Sequence, residues 1–418
     1  MNLKISPAPI GGNLRAIASK SYMHRALICA SLADKPTVLY CPESNRDIIA
    51  TAECMRALGA HITEDNGRYT VCPISKSHSG PAVLPCNESG STLRFLLPVA
   101  AALGGGAVFH VRGRLSARPL SPLYEQLVAH GAVMSPNGVF PLSLEGKLQS
   151  GVFSLDGSVS SQFFTGLLLA LPILDESSTV LVEGTLESAP YVRLTESVMN
   201  RFGVFPAVTE NRMEITPAPY RSPGTLDVEG DWSNAAFWLV AGAVGGGITM
   251  TGLQHDSCQG DKEIVGLLKR MGADIRTDGD RITVKKSALH GIEIDAKDIP
   301  DLVPILSVAA AYAQGETVIR GASRLRLKES DRISSVLQML AALGIECNET
   351  GDGMIIKGGT PKSGVVDACN DHRIAMSATI AAISCAGDVT VLGAEAVNKS
   401  YPAFFEHLAL LGGEAIEV

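Results

Sequence analysis

The sequence predicts an α/β chain made of six copies of one helix-and-hairpin unit, divided three and three between two similar domains. Three observations lead there. A glycine closes an apolar helix at nearly constant spacing, an alternating strand-turn-strand follows five of those six glycines, and an unpaired strand stands at each end of the chain.

The helix ends come first. CMRALG runs to Gly59, QLVAHG to Gly131, VMNRFG to Gly203, LLKRMG to Gly272, MLAALG to Gly344 and HLALLG to Gly412, at separations of 72, 72, 69, 72 and 68 residues. Apolar residues three or four apart, as in Leu194, Val198 and Phe202, give each stretch one buried face. A glycine after the last turn is the usual left-handed stop. The hairpins follow as HITEDNGRYTV, VMSPNGVFPLSL, FPAVTENRMEI, DIRTDGDRITV and ECNETGDGMIIK. Asn66-Gly67, Asn137-Gly138 and Asp278-Gly279 are expected to supply the positive backbone angles of tight turns.

The sixth unit stops at GEAIEV with one strand and no return, while MNLKIS reads as a lone strand, so the N-terminus is expected to complete the last repeat. The domain carrying both termini is then discontinuous, residues 1–13 with 225–418, and residues 14–224 form the second. Pro7, Pro9, Gly11 and Gly12 mark one crossing, and Pro217, Pro219, Pro223 and Gly224 the other. Two short, stiff crossings suit a hinge, and the cleft between the domains is the expected active site.

Composition narrows the function. A chain of 418 residues that is 46% hydrophobic and 19% charged has the make-up of a globular protein with more than one core. Its net charge of −8 argues against broad nucleic-acid binding. Neither a cationic start followed by an apolar run nor an apolar stretch of roughly 18 residues is present, so a cytoplasmic protein without membrane contact is expected. Nine cysteines without C-x-x-C spacing indicate neither a disulfide framework nor a zinc site. With no G-x-x-x-x-G-K-[ST] loop either, no metal, nucleotide or cofactor is expected.

Cationic residues recur in short serine- and glycine-rich stretches: SKSYMHR, ESGSTLR, RGRLSARP, KESDR, NDHR and NKSYP. They supply Lys20, Arg94, Arg118, Lys328, Arg332, Arg373 and Lys399. Converging on one cleft, they would face phosphates and carboxylates, for which the arginine fork is well shaped. The alternative is an ordinary solvated charge or a helix-end cation at each position.

SKSYMHRAL, ESGSTLRFLLP, RLSARPLSPL, VSSQFFTGLL, SAPYVRLT, IPDLVPILSVAAAYA, RLKESDRI, NDHRIAM and NKSYPAFFEHL together resemble, in order and spacing, the EPSP synthases among the enolpyruvyl transferases. The resemblance covers essentially the whole chain. It implies a fold of two similar domains, each of three βαβαββ repeats with helices inside and sheets outside. It also implies transfer of the enolpyruvyl group of phosphoenolpyruvate to the 5-hydroxyl of shikimate 3-phosphate, a step of the shikimate pathway toward chorismate and aromatic amino acids. The implied partners are those two small molecules, with no nucleic acid and no membrane, and the chain is expected to be a monomer.

By the same resemblance, Lys20, Ser21, Arg25, Ser160, Ser161, Gln162, Ser188, Asp301 and Lys328 would hold shikimate 3-phosphate. Phosphoenolpyruvate would be held by Lys20, Gly90, Arg118, Gln162, Arg332, Arg373 and Lys399. The residues themselves agree in part. Serines ahead of the apolar run QFFTGLLLALP suit an N-cap, where free N–H groups welcome an anion or simply close the helix. Glycine at 90 lets a ligand approach the backbone closely. Arg94 is expected to brace its loop.

Asp301, Glu329 and Lys20 are the implied catalytic groups. Asp301 would orient and deprotonate the hydroxyl, while Glu329 and Lys20 would serve the methylene proton and the departing phosphate. The plain alternatives are an N-cap for Asp301 and an ion pair with Lys328 or Arg332 for Glu329. His24 and His372 read as packed histidines, and Trp232 and Trp238 as core.

Two departures stand out: ESGSTLR where an NAGTAMR-type loop is usual, and Arg324 where asparagine often meets the shikimate phosphate. Two rival readings remain at this point. The related transferase acting on UDP-N-acetylglucosamine usually carries a cysteine in the loop matching RGRLSARP, which has none here. A sliding-clamp ring would carry its cations on helix faces rather than in loops.

Overall fold

A computed structural model describes residues 1–74 and 80–418 of the chain. They form two compact units, Met1–Ile17 with Glu229–Val418, and Ala18–Val228. Each crossing lies slightly farther along the chain than its prolines and glycines suggest, because a strand at each boundary pairs beyond them.

The chain opens in the first unit with β1 (Asn2–Ile5) and β2 (Gly12–Arg15). The second unit begins with α1 (Lys20–Ser31), β3 (Thr37–Tyr40), α2 (Arg46–Ala57) and the hairpin β4 (His61–Asp65) and β5 (Arg68–Cys72). A full βαβαββ repeat follows: β6 (Ala82–Asn87), α3 (Gly90–Leu103), β7 (Ala107–Val111), α4 (Leu123–Ala129), β8 (Ala132–Met134) and β9 (Leu142–Gly146). The next comprises β10 (Val152–Asp156), α5 (Ser161–Ala170), β11 (Ser178–Glu183), α6 (Ala189–Arg201), β12 (Ala207–Val208) and β13 (Arg212–Ile215). Strand β14 (Thr225–Asp227) then pairs in parallel with β3, supplying the strand missing from the unit's first repeat.

The first unit resumes with α7 (Trp232–Val244), β15 (Ile248–Thr251), α8 (Ile264–Arg270), β16 (Asp274–Asp278) and β17 (Arg281–Lys285). Then come β18 (Glu293–Asp295), α9 (Val303–Ala311), β19 (Glu316–Arg320), α10 (Arg332–Ala342), β20 (Cys347–Glu349) and β21 (Met354–Lys357). The last repeat has β22 (Gly364–Asp367), α11 (His372–Ala382), β23 (Val389–Leu392), α12 (Phe404–Leu410) and β24 (Ala415–Glu417). Strand β2 pairs in parallel with β15, and β1 inserts between β23 and β24, with Leu3 opposite both Val391 and Glu417. Each repeat thus has the same four-stranded sheet, in the order β6-β7-β9-β8 and its equivalents.

The first unit's α7, α9 and α11 lie inside because their sequences are mostly apolar or small on every face. All residues of α7, α9 and α11 are buried, and these helices pack on one another within the first unit's core. In the second unit α3 and α5 pack so closely that a Cβ on Gly166 would lie 2.8 Å from the Pro98 ring. The strands alternate instead, as in Val152–Asp156, and turn one face to water. Each fully buried Leu or Phe contributes roughly 2 kcal/mol relative to exposure.

The six helix-closing glycines adopt φ of 103°, 95°, 74°, 94°, 73° and 94° in chain order, the left-handed stop their position predicts. The hairpin expectation needs correction. Asn66-Gly67 has two positive angles, φ 49° and 77°, but in the other two pairs only Gly138 and Gly279 are positive. At the third turn the loop is Gly279-Asp280, so glycine takes the first central position. Among the described residues no helix is long and apolar enough to cross a membrane.

Candidate active site

The starts of α7, α9 and α11 converge in the first unit. Arg373, in the first turn of α11, donates from Nη2 to Ser233 Oγ on α7 at 2.5 Å. It also donates from Nη1 to the carbonyl of Asp301, just before α9, at 2.9 Å. Helix N-termini carry partial positive charge, so their convergence makes this end of the unit favourable to anions.

Arg332 opens α10 and is 1% exposed. Its guanidinium donates on all three nitrogens to carboxylates: Nε to Asp371 Oδ2, Nη1 to Asp301 Oδ1 and Nη2 to Glu329 Oε2, each at 2.8 Å. Lys328 Nζ lies 3.5 Å from Asp301 Oδ1, Arg373 Nη2 lies 3.4 Å from Asp301 Oδ2, and Lys399 Nζ lies 3.6 Å from Glu329 Oε1. Asp301, Lys328, Glu329, Arg332, Arg373 and Lys399, all singled out from the sequence, therefore form one connected cluster.

The charges shift one another. Burial would raise the Asp301 carboxyl, but Arg373, Lys328 and Arg332 outweigh it and hold the group well below the usual carboxylate range. Burial pushes the Lys328 ammonium down to about 8, against the pull of Asp301. For Arg332 burial is the largest effect and favours neutrality, yet Asp371, Glu329 and Asp301 together keep its proton held more firmly than usual. Asp301 does not cap α9: it sits in the 3-10 turn Pro300–Leu302, and no side chain caps the helix that follows. Glu329 does make the expected ion pair with Arg332, while sharing its other oxygen with Lys399.

The second unit holds the remaining candidates. Lys20 opens α1 after the cap Ser19 and pairs with Asp47 Oδ2 at 3.0 Å. Arg25, one turn on, is 2% exposed. It donates to Thr195 Oγ1 at 2.8 Å, the Ser21 carbonyl at 2.6 Å, the Tyr191 carbonyl at 3.0 Å and Thr165 Oγ1 at 3.3 Å. These partners are all neutral, and burial lowers the guanidinium to about 10. A buried cation held by neutral groups is a strong attractor for an anion.

Gly90 opens α3, and a Cβ there would lie 2.8 Å from Nη1 of both Arg118 and Arg94. Arg94 braces its surroundings as expected, donating to Gln162 Oε1 at 3.1 Å and to the Pro119 carbonyl at 3.0 Å. Gln162 in turn donates to Ser91 Oγ at 3.0 Å. Ser160 caps α5 through the Gln162 N–H at 3.3 Å, and Ser161 is the first helical residue. Ser188 precedes α6 in a left-handed conformation, φ 56° and ψ 38°. That geometry costs a non-glycine residue about 1 kcal/mol or more, and such strain gathers at ligand sites.

His24 is buried, bonded through Nδ1 to Thr51 Oγ1 at 2.7 Å, and burial lowers it to about 3, so it stays neutral as a packed histidine. Trp232 and Trp238 are 1% and 0% exposed, as core residues should be. In the departing loop Ser89 caps α3, and Arg324 donates to the Lys297 carbonyl at 3.1 Å. Sequence reasoning missed Asp47, Thr165, Thr195, Ser233 and Asp371. Only Asp371 carried a usable local signal, as the residue ahead of the HRIAM helix, where it accepts from Arg373 N at 3.0 Å. No group of three His, Cys, Asp or Glu residues that could hold a metal occurs among the described residues.

Comparison with known proteins adds names to this geometry. A family model described as EPSP synthase (3-phosphoshikimate 1-carboxyvinyltransferase) matches residues 5–408. The 3-phosphoshikimate 1-carboxyvinyltransferase of Clostridium acetobutylicum is 41% identical over 425 residues, covering 99% of this chain and 98% of its own. That of Clostridioides difficile is 38% identical, covering 100% and 98%. Among solved structures, EPSP synthase from Acinetobacter baumannii is similar with a TM-score of 0.83 and 27% identity over 100% of both chains. The enolpyruvyl transferase NikO from Streptomyces tendae shares the fold, with a TM-score of 0.81 at 20% identity, covering 100% of this chain and 98% of its own.

Proposed function

The chain belongs to the EPSP synthase family, and from that premise we propose how its two polar clusters divide the family's reaction. The reaction itself is transfer of the enolpyruvyl group of phosphoenolpyruvate to shikimate 3-phosphate, with release of phosphate. An acceptor of the UDP-N-acetylglucosamine type is not favoured by these relatives.

One observation carries the assignment of roles: Asp301 is gripped by Arg332, Arg373 and Lys328, the cations best suited to receive substrate anions. While those cations hold it, the carboxylate is a weak base. As phosphoenolpyruvate and shikimate 3-phosphate claim Arg332, Arg373 and Lys328, Asp301 regains basicity beside the hydroxyl it must deprotonate. The substrates themselves prepare the base.

The hydroxyl oxygen bonds to carbon 2 of phosphoenolpyruvate as its proton passes to Asp301, and the methylene carbon gains a proton to become methyl. Glu329 is ion-paired with Arg332 and Lys399 in the free chain; as the substrate anions claim those cations, its carboxyl takes up a proton from solvent and delivers that proton to the methylene. The tetrahedral intermediate then collapses: the methyl returns one proton to Glu329, the double bond re-forms, and phosphate leaves with Lys20 balancing its charge. Ser21, Arg25, Ser160, Ser161, Gln162, Ser188 and Lys328 hold shikimate 3-phosphate. Gly90, Arg118, Gln162, Arg332, Arg373 and Lys399 hold phosphoenolpyruvate, joined by Lys20. The fixed cations stabilise charge as it develops.

The reaction is assigned to a monomer in the cytoplasm, and light scattering on the purified chain tests the first of those. Phosphate release from phosphoenolpyruvate is expected with shikimate 3-phosphate and not with UDP-N-acetylglucosamine. Lys20→Met and Arg373→Gln, one from each unit, should both raise KM for phosphoenolpyruvate. A change in only one of them would overturn the shared use of the two clusters.

A further inference from the structure

Arg373 meets the rest of the first unit through a hydroxyl that the reaction does not need. Ser233 Oγ accepts from Arg373 Nη2 at 2.5 Å, and the same hydroxyl is hydrogen-bonded to the carboxylate of Asp261. A serine hydroxyl has one proton to give, so donating to the carboxylate commits that proton and leaves the oxygen to accept from the guanidinium. Ser233 is 8% exposed and Asp261 3%.

Asp261 is itself held firmly. It lies in the 3-10 turn Gly260–Glu263, which packs on the start of α7. Gln259, two residues earlier, accepts from Trp232 N at 3.1 Å and donates to the Glu229 carboxylate and to the Gly230 carbonyl, both at 2.8 Å. The turn is thereby pinned to the residues that lead into α7. A buried carboxylate costs stability unless it is used, and Asp261 is not among the groups assigned to substrate.

We propose that Ser233 and Asp261 are positioning residues for Arg373, fixing its guanidinium at the angle from which it holds phosphoenolpyruvate. The inference rests on the assignment of Arg373 to that substrate. Asp261 aims the hydroxyl, the hydroxyl fixes one guanidinium nitrogen, and the Asp301 carbonyl fixes the other. A guanidinium held at two nitrogens cannot swing away from its anion between turnovers.

Other charges face Asp261: Asp231 ahead of α7, Asp301 ahead of α9, and Arg373 on α11. Burial, with Asp301 second, raises the Asp261 carboxyl to about 7, while Arg373 and Ser233 pull it down. Raising the pH through that value ionises Asp261 and commits the Ser233 proton to it, which strengthens the arrangement.

The test uses the full chain and steady-state kinetics with both substrates. Ser233→Ala and Asp261→Asn should each raise KM for phosphoenolpyruvate about tenfold, with kcat changed less than about threefold and KM for shikimate 3-phosphate unchanged. The double variant should cost no more than either single one, because both remove the same link. In Asp261→Asn the rise of kcat/KM for phosphoenolpyruvate near pH 7 should flatten. Arg373→Gln is the control: if it leaves KM for phosphoenolpyruvate unchanged, the assignment of Arg373 fails. If Arg373→Gln raises that KM while Ser233→Ala and Asp261→Asn do not, or if the two add independently, the positioning role is overturned. Should Asp261→Asn fail to fold, Ser233→Ala carries the comparison alone.

Discussion

Asp371 meets Arg332 side-on, Oδ2 with Nε at 2.8 Å and Oδ1 with Nη2 at 3.3 Å, and neither side chain reaches water, at 0% and 1% exposure. Removing one partner of a buried pair leaves the other's charge poorly matched. Asp371→Asn should therefore destabilise the protein by about 3 kcal/mol, the lower end for such a loss because Asp301 and Glu329 remain on Arg332. Urea unfolding of the variant against the parent measures it, and an unchanged midpoint would show that the remaining carboxylates suffice.

Asp301→Asn separates base chemistry from structure. The residue caps no helix, and asparagine keeps an oxygen for Arg332, so the fold should persist. Turnover should fall by about 100- to 10,000-fold with shikimate 3-phosphate binding largely retained. Single-turnover kinetics beside calorimetric binding would check both, and turnover within a few-fold of the parent would remove Asp301 from proton transfer.

Gly90→Ala places a methyl group where Nη1 of Arg118 and of Arg94 now lie, 2.8 Å from the new carbon. Those atoms end flexible side chains, so the protein should fold and the guanidinium groups should shift. KM for phosphoenolpyruvate is expected to rise roughly 10- to 100-fold, as misplacement of a binding group by about an ångström does, with KM for shikimate 3-phosphate little changed.

His24 gives a pH dependence of known sign. Its imidazole is lowered by burial from 6.5 to about 3, so below pH 6.5 the unfolded chain takes up a proton that the folded chain refuses. Stability contributed by neutral His24 is complete above 6.5 and is lost as pH falls, by about 2 kcal/mol at pH 5. His24→Asn, which can keep the bond to Thr51, should show a shallower loss between pH 6.5 and 5 in thermal melts. Equal slopes would place the acid sensitivity elsewhere.

How much of this was legible follows the range of each interaction. Gly59 and its five counterparts announce the repeat because a left-handed stop is a local demand, met by the residue itself. Asn137 and Asp278 misled for the converse reason: turn type depends on loop length and strand register as well as on the pair. Lys20, Arg332 and Arg373 could be picked out as cations in small-residue loops, but their restraints could not. Arg332 finds Asp371 39 residues on, and Arg373 finds Ser233 140 residues back. Contacts of that reach are set by how helix starts converge, which no local pattern records.

The place of β1 between β23 and β24 bears on the order in which the molecule is made. Residues Ala18–Val228 are contiguous, so that unit can gain all its strands while the chain is still growing. The opening strand has no such early partner. Leu3 must wait until Val391 and Glu417 have been synthesised, which makes β1 one of the last strands to find its place. Lys4, opposite Thr390 and Ile416, gives the waiting strand a charge that discourages premature pairing with other chains.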